Sequence, residues 1–142
     1  MLMKNENIPF DIQGFALLMQ VFDMPLSLKF YRDILGFEVV QKSGPGDDVG
    51  WVMLRWKDIE VMLNTAYEKF ERPMAPDAAR IAAHEDTILY FGCPDVDVLY
   101  TYLHGKGIDV NKPSITKYGW KALDLKDPDG YALCFHWPLP NT

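Results

Sequence analysis

Apolar and polar positions along this chain switch between two periods, and they do so twice. Phe15 to Phe22 is a nearly unbroken apolar run; after Asp23, Leu28, Phe30, Tyr31 and Leu35 recur at helical spacing until Gly36, and Phe37 to Val40 is apolar again. The order returns from Thr87 to Cys93: Asp95 follows the apolar run, Val98, Leu99, Tyr102 and Leu103 recur at helical spacing until Gly105 and Gly107, and Ile108 to Val110 follows. Apolar residues at i, i+3 and i+4 behind an aspartate cap, closed by glycine, predict a short helix.

The blocks downstream match more closely still. Gly50 to Asp58, GWVMLRWKD, returns 69 positions later as GWKALDLKD from Gly119 to Asp127. Each half therefore reads as strand, helix, then three strands. Strands are predicted at about 15–21, 37–42, 50–56 and 59–64, then 87–93, 108–112, 120–125 and 132–137. Asp127-Pro128-Asp129-Gly130 has the composition of a type I turn and makes the last two strands a hairpin. A linker, 65–86, contains Pro73, Pro76 and a helical candidate near 77–84; its length permits pairing of the halves within one chain or by exchange between two. A unit of about sixty residues buries only about 60% of its surface alone, so the two copies are expected to pack as a pair, with a ligand at their seam.

Composition narrows the function classes. With 142 residues, 49% of them hydrophobic, one domain spanning 1–142 is expected, with modules at about 15–64 and 87–137. No apolar run reaches the length that spans a bilayer, and Lys4, Asn5, Glu6 and Asn7 leave no signal-peptide core, so a cytoplasmic protein with no membrane partner is expected. In that compartment Cys93 and Cys134 are expected to be free thiols. A net charge of -6 with scattered basic residues argues against nucleic acid, and suits capture of a cationic small molecule. The plainer reading of that charge is solubility.

Asp23 with Phe30, Tyr31, Arg32, Asp33, Leu35 and Gly36, the hairpin Asp127, Pro128, Asp129, Gly130 and Tyr131, and the join of Phe91 to Asp95 together resemble the signatures of the vicinal oxygen chelate superfamily, which includes glyoxalases, extradiol dioxygenases and bleomycin resistance proteins. The resemblance covers about Phe15 to Trp137. It implies an α+β fold of two βαβββ modules forming a curved mixed sheet. It also implies a groove with one functional position on each of four strands, occupied by histidine, glutamate or glutamine in metal-dependent members. Counted from the motifs, those positions hold Ala16, Met62, Ile88 and Cys134, which is not an oxygen-rich donor set. Gln20, Glu60 and His136 lie near them as donors for an improvised site, while His84 sits in the linker and His104 at a helix end. No metal and no cofactor are expected.

Strand alternation then indicates what the groove offers. Leu123 and Leu125 face a helix, leaving Trp120, Ala122 and Asp124 on the other side; by the repeat, Trp51, Met53 and Arg55 take that place in the first half, with Leu54 and Trp56 turned inward. Adding Leu18, Gln20, Glu60, Met62, Asn64, Tyr90, Cys134 and His136 gives an apolar, aromatic trough suited to a flat organic molecule. Each residue also has a plainer role. Both tryptophans suit a core, Met53 and Met62 suit gap-filling, Cys134 suits an inert buried thiol, and Glu60 and Asp124 suit a solvated rim.

Two functions compete. The resemblance to the bleomycin resistance branch implies a metal-free homodimer that sequesters a planar, cationic drug, an antibiotic-resistance role. The alternative is a lyase, isomerase or dioxygenase with an atypical metal or an acid/base site, for which Glu60, His136 and Asp124 are the catalytic candidates.

Overall fold

The computed structural model describes residues 7–140, so Lys4, Asn5 and Glu6 lie outside the described residues. The first half runs β1 (Leu17–Gln20), α1 (Met24–Leu28), β2 (Glu38–Lys42), β3 (Trp51–Trp56) and β4 (Ile59–Asn64). The second runs β5 (Ile88–Gly92), α3 (Val96–Gly105), β6 (Ser114–Ile115), β7 (Trp120–Lys126) and β8 (Ala132–Pro138), with the linker helix α2 (Ala78–His84) between them. Asp23 starts α1 from extended backbone, its carboxylate accepting from the Leu26 N–H at 3.2 Å. The helix widens into a π-helical turn, Lys29–Ile34, and Gly36 at φ 88° ends it. The expected cap at Asp95 differs: its side chain makes no capping bond to α3.

Each module forms a four-stranded mixed sheet, β1-β4-β3-β2 and β5-β8-β7-β6. In both, the first strand runs parallel to the last and the other pairs are antiparallel. The strand expected at 108–112 is displaced to Ser114–Ile115, which pairs with Ala122 and Lys121. Ile108 instead donates its N–H to Leu103 O and completes the end of α3, and its apolar side chain packs against the core cluster.

Alternation decides which side of each sheet is buried. Met19, Val52, Leu54, Val61 and Leu63 of the first sheet and Leu89, Leu123, Leu125 and Leu133 of the second join one cluster with Leu28, Phe30, Tyr31, Val96 and Leu103 from α1, its π turn and α3. Phe37 meets Phe91 across the modules at 6.3 Å, and the Tyr102 hydroxyl donates to Ile34 O at 2.6 Å. Trp56, expected inward, keeps 43% of its surface exposed at the end of β3, over Phe37 and Gly36. The two sheets thus share one core, and their other faces lie on opposite outer sides of it.

The seam between modules is closed by a polar network rather than by a ligand-sized cleft. Tyr31 OH donates to Asp127 Oδ2 at 2.6 Å, while Asp127 Oδ1 accepts the N–H groups of Asp129 and Tyr131, both at 2.9 Å. Asp129 accepts from Phe22 N at 2.8 Å and from the Ser27 hydroxyl at 3.3 Å, and Tyr131 OH accepts from Gln20 N at 3.2 Å. Burial pushes both aspartates and both tyrosines above their ordinary values. Helix α2 lies against this hairpin: the His84 ring stacks on Tyr131 at 4.0 Å, its Nδ1 is 2.6 Å from Asp129 O, and Ile81 O crowds Gly130. The small hollow left there measures about 30 Å³, room for a water or two. A second hollow, of about 150 Å³, lies between Phe22, Asp23 and Leu26 of the first module and Pro128 and Asp129 of the second, so the seam, where the repeat led us to expect a ligand, offers less room among the described residues than an ordinary small-molecule site.

Candidate functional site

The outer face of the second sheet forms an open groove. Strand pairing sets Ala122 opposite His136 and Asp124 opposite Cys134, with Tyr90 beside Cys134 on the parallel neighbour. This brings Tyr90, Trp120, Asp124, Cys134 and His136 onto one surface, and Ser114, Thr116 and Tyr118 from β6 and its turn complete the wall. The groove holds about 370 Å³, within the range of small-molecule sites, and no lysine or arginine lines it. His136 is held between two rings, Trp120 at 5.1 Å and Tyr90 at 5.2 Å, both edge to face.

Its polar chemistry centres on Asp124. Asp124 is the cross-strand partner of the buried Cys134, and burial, followed by the influence of this carboxylate, pushes the thiol up to about 11. A thiol held protonated is a poor nucleophile. Cys93, also free, is raised by burial. Asp124 itself keeps an exposed edge toward the groove.

The other groove candidates lie on the first sheet. Trp51 pairs with Asn64, Met53 with Met62 and Arg55 with Glu60, and Leu18 and Gln20 flank them on β1. Arg55 donates to Glu60 at 3.0 Å, and Asn64 donates to Gln20 at 3.2 Å, so this face carries satisfied polar pairs among half-exposed Trp51, Met53 and Met62. Because the sheets share a core, Glu60 does not meet Asp124 or His136 within one chain.

Ser114, Thr116 and Tyr118 were not among the groove residues read from sequence. Misplacing β6 hid them; the turn closed by Gly119, whose φ is 81°, carries Tyr118 over the groove mouth. A hollow of about 600 Å³ at the start of α3 is walled by Trp137 and the Pro138–Pro140 tail, with Asp95 and the ion pair of Asp97 and Lys121 as its charged groups.

The four positions that carry metal ligands in metal-dependent relatives do not fit a divalent ion. Ala16 and Ile88 offer no donor atom, Met62 offers a thioether, and the Cys134 thiol is protonated. Among the described residues, no three His, Cys, Asp or Glu side chains converge as a metal site. No helix among them is long and apolar enough to cross a membrane.

Paired βαβββ sheets with a groove on the outer face define a recognisable class of protein. The profile of the Glyoxalase/Bleomycin resistance protein/Dioxygenase superfamily matches residues 15–135, and the chain belongs to that superfamily. No curated protein matches the sequence. Among solved structures, SMU.1112c is 24% identical, with 89% of this chain and 98% of that one covered at a TM-score of 0.68. Lactoylglutathione lyase from Agrobacterium tumefaciens is 18% identical over 87% and 92%, with a TM-score of 0.64. TioX from Micromonospora sp. ML1 is 14% identical over 89% and 99%, with a TM-score of 0.68. At these identities the likeness is one of fold.

Proposed function

We propose that this protein binds a flat, positively charged organic molecule in the second-module groove and performs no metal chemistry on it. The observation that supports this reading is the shared lining of Tyr90, Tyr118, Trp120 and His136 with the Asp124 carboxylate, with no lysine or arginine among them. Aromatic faces attract a cation through their quadrupole and stack a planar ring, and the carboxylate adds a charge partner. Sequestration of a drug, as in bleomycin resistance proteins, is the biological role this fits. Titration with a bleomycin-type compound, followed by tryptophan fluorescence, tests it: saturable quenching at micromolar concentration is expected, and a flat response overturns it.

The protein acts as a homodimer in this reading. Each sheet leaves one half-exposed apolar face, carrying Trp51, Met53 and Met62 on one side and Tyr90 and Trp120 on the other. A second copy that lays its first-module face over this groove would turn an open surface into an enclosed pocket.

Catalysis is the second reading, supported by the common surface of Asp124 and His136. Glu60 is the weakest of the three candidates, since its carboxylate is engaged by Arg55 on the other sheet. Elemental analysis of protein purified without chelator separates the two: one equivalent of nickel, zinc, manganese or iron would favour an enzyme.

A further inference from the structure

We infer that residues 8–15 form an arm that adds as a strand to the free edge of β5 in a second copy of this chain. The inference rests on the homodimer proposed above and names what holds its two copies together; it does not depend on what the groove binds.

The arm has the build of a strand that lacks a sheet. Ile8, Phe10 and Ile12 alternate with Pro9, Asp11 and Gln13, and the Gln13 amide donates to Asp11 Oδ2 at 3.3 Å, as i and i+2 side chains can on one face of an extended chain. Yet residues 8–15 join neither sheet, and their large apolar side chains face solvent: Ile12 and Phe15 keep 78% and 83% of their surface exposed, and Ile8 and Phe10 are exposed as well. Single apolar residues scattered over a surface need no cover, but four within eight residues of extended chain mark a contact surface. Proline sets which edge of the arm pairs. Pro9 has no N–H, so the edge it shares with Asp11 and Gln13 suits water, while the edge of Ile8, Phe10 and Ile12 keeps every donor and can join a ladder.

The edge that fits it is β5. Strand order leaves β1, β2, β5 and β6 at the borders of the two sheets. Of these, β1 continues the arm itself, β2 carries Glu38, Lys42 and a register break between Val39 and Gln41, and β6 has only two residues. Charge, bulges and shortness are the features that keep an edge from pairing. β5 has none of them: its five residues, ILYFG, contain no charge and no proline, and their register against β8 is unbroken. Ile88 and Tyr90 stand exposed on its groove side, where Ile8, Phe10 and Ile12 of the arm would lie beside them.

The area suits a second copy. Covering the four apolar side chains of an arm buries roughly 500 Å². Each copy gives one arm and receives another, so about 1,000 Å² of each is covered, against about 800 Å² per partner in a standard stable interface. Mutual exchange also closes at two copies, with no arm left over.

Sedimentation equilibrium compares the wild type with Ile12→Asp, at a side chain one chain leaves in solvent, and with Phe70→Asp, at an exposed apolar residue of the linker. The wild type is expected to be a dimer at low micromolar concentration, Ile12→Asp to dissociate at least about tenfold more readily, and Phe70→Asp to match the wild type. A monomeric wild type overturns the homodimer and the arm together. A dimer that Ile12→Asp leaves unchanged, or that Phe70→Asp weakens as much, overturns the arm and leaves the homodimer standing. A second measurement uses no disruptive variant: p-benzoylphenylalanine replaces Phe10, and mixed dimers of heavy- and light-isotope chains are irradiated. Heavy-to-light cross-links attached within residues 88–92 are expected; their absence, or attachment elsewhere on the other chain, overturns the pairing with β5.

Discussion

Tyr31 and Asp127 are 96 positions apart and joined by a 2.6 Å hydrogen bond, Tyr31 Oη donating to Asp127 Oδ2 in the buried seam of the two modules. Both residues belong to motifs that identify the fold, and the bond shows what those motifs do: the end of the first helix is fastened to the last hairpin. Tyr31→Phe keeps the ring in the core and strips one donor from a buried carboxylate. A loss of about 1–3 kcal/mol is expected in urea unfolding at pH 7. An unchanged midpoint would mean that the seam is not under load.

The same hairpin tolerates no side chain at its fourth residue. Gly130 has φ 85°, and a Cβ there would lie 2.7 Å from Ile81 O of the linker helix. Gly130→Ala should therefore cost about 1–3 kcal/mol and loosen α2, seen as faster amide exchange over residues 78–84. Gly119→Ala, with a similar φ of 81° but open space around it, should cost less.

The acid response of the first helix follows from Arg32. Its guanidinium bonds Asp47 at 2.9 and 3.0 Å and Asp33 at 2.8 and 3.2 Å, and holds both carboxyls below their usual range. A carboxyl lowered on folding contributes stability that is present above its unfolded value and lost as the pH falls through its folded value. The stability gap between wild type and Asp47→Asn should therefore be open at pH 6, narrow below about pH 4, and shrink in high salt, because the pair is partly exposed. It should stay under about 1 kcal/mol.

Cys134 should alkylate slowly. With its thiol pushed up to about 11, iodoacetamide at pH 8 meets very little thiolate. Asp124→Asn removes the negative acceptor and leaves the burial, so alkylation of Cys134 should accelerate several-fold, as read by peptide mass spectrometry. No acceleration would mean that burial alone sets the thiol.

Mutating either tryptophan tests the groove and its closure separately. Trp120→Ala should weaken binding of a planar cation about tenfold. Trp51 lies on the other sheet of the same chain, so Trp51→Ala should matter only where a second copy covers the groove. A dimer by sizing chromatography with weakened binding in Trp51→Ala is expected; a monomer at low micromolar concentration would refute the dimer.

Period-two alternation made the faces of the strands legible, because burial of Leu123 and Leu125 forces Trp120, Ala122 and Asp124 to the opposite side. The repeat transferred the same logic to Trp51, Met53 and Arg55. How the modules pack was not legible. The duplication suggested a cleft between them, but the long-range bonds of Tyr31, Asp129 and Tyr131 that turn the sheets back to back leave no periodic trace. Ile108 and Val110 looked like a strand because apolar pairs at alternate positions serve a helix end equally well. That ambiguity hid Tyr118 and its neighbours from the groove.

Two sheets that turn their greasy sides to one interior leave much of their outer sides outside that shared core. Residues such as Trp120, Tyr118 and His136 can be exchanged one at a time without opening a hole in the interior. A scaffold so divided lets its guest preference drift while its architecture stands still, which is how one fold comes to serve many ligands.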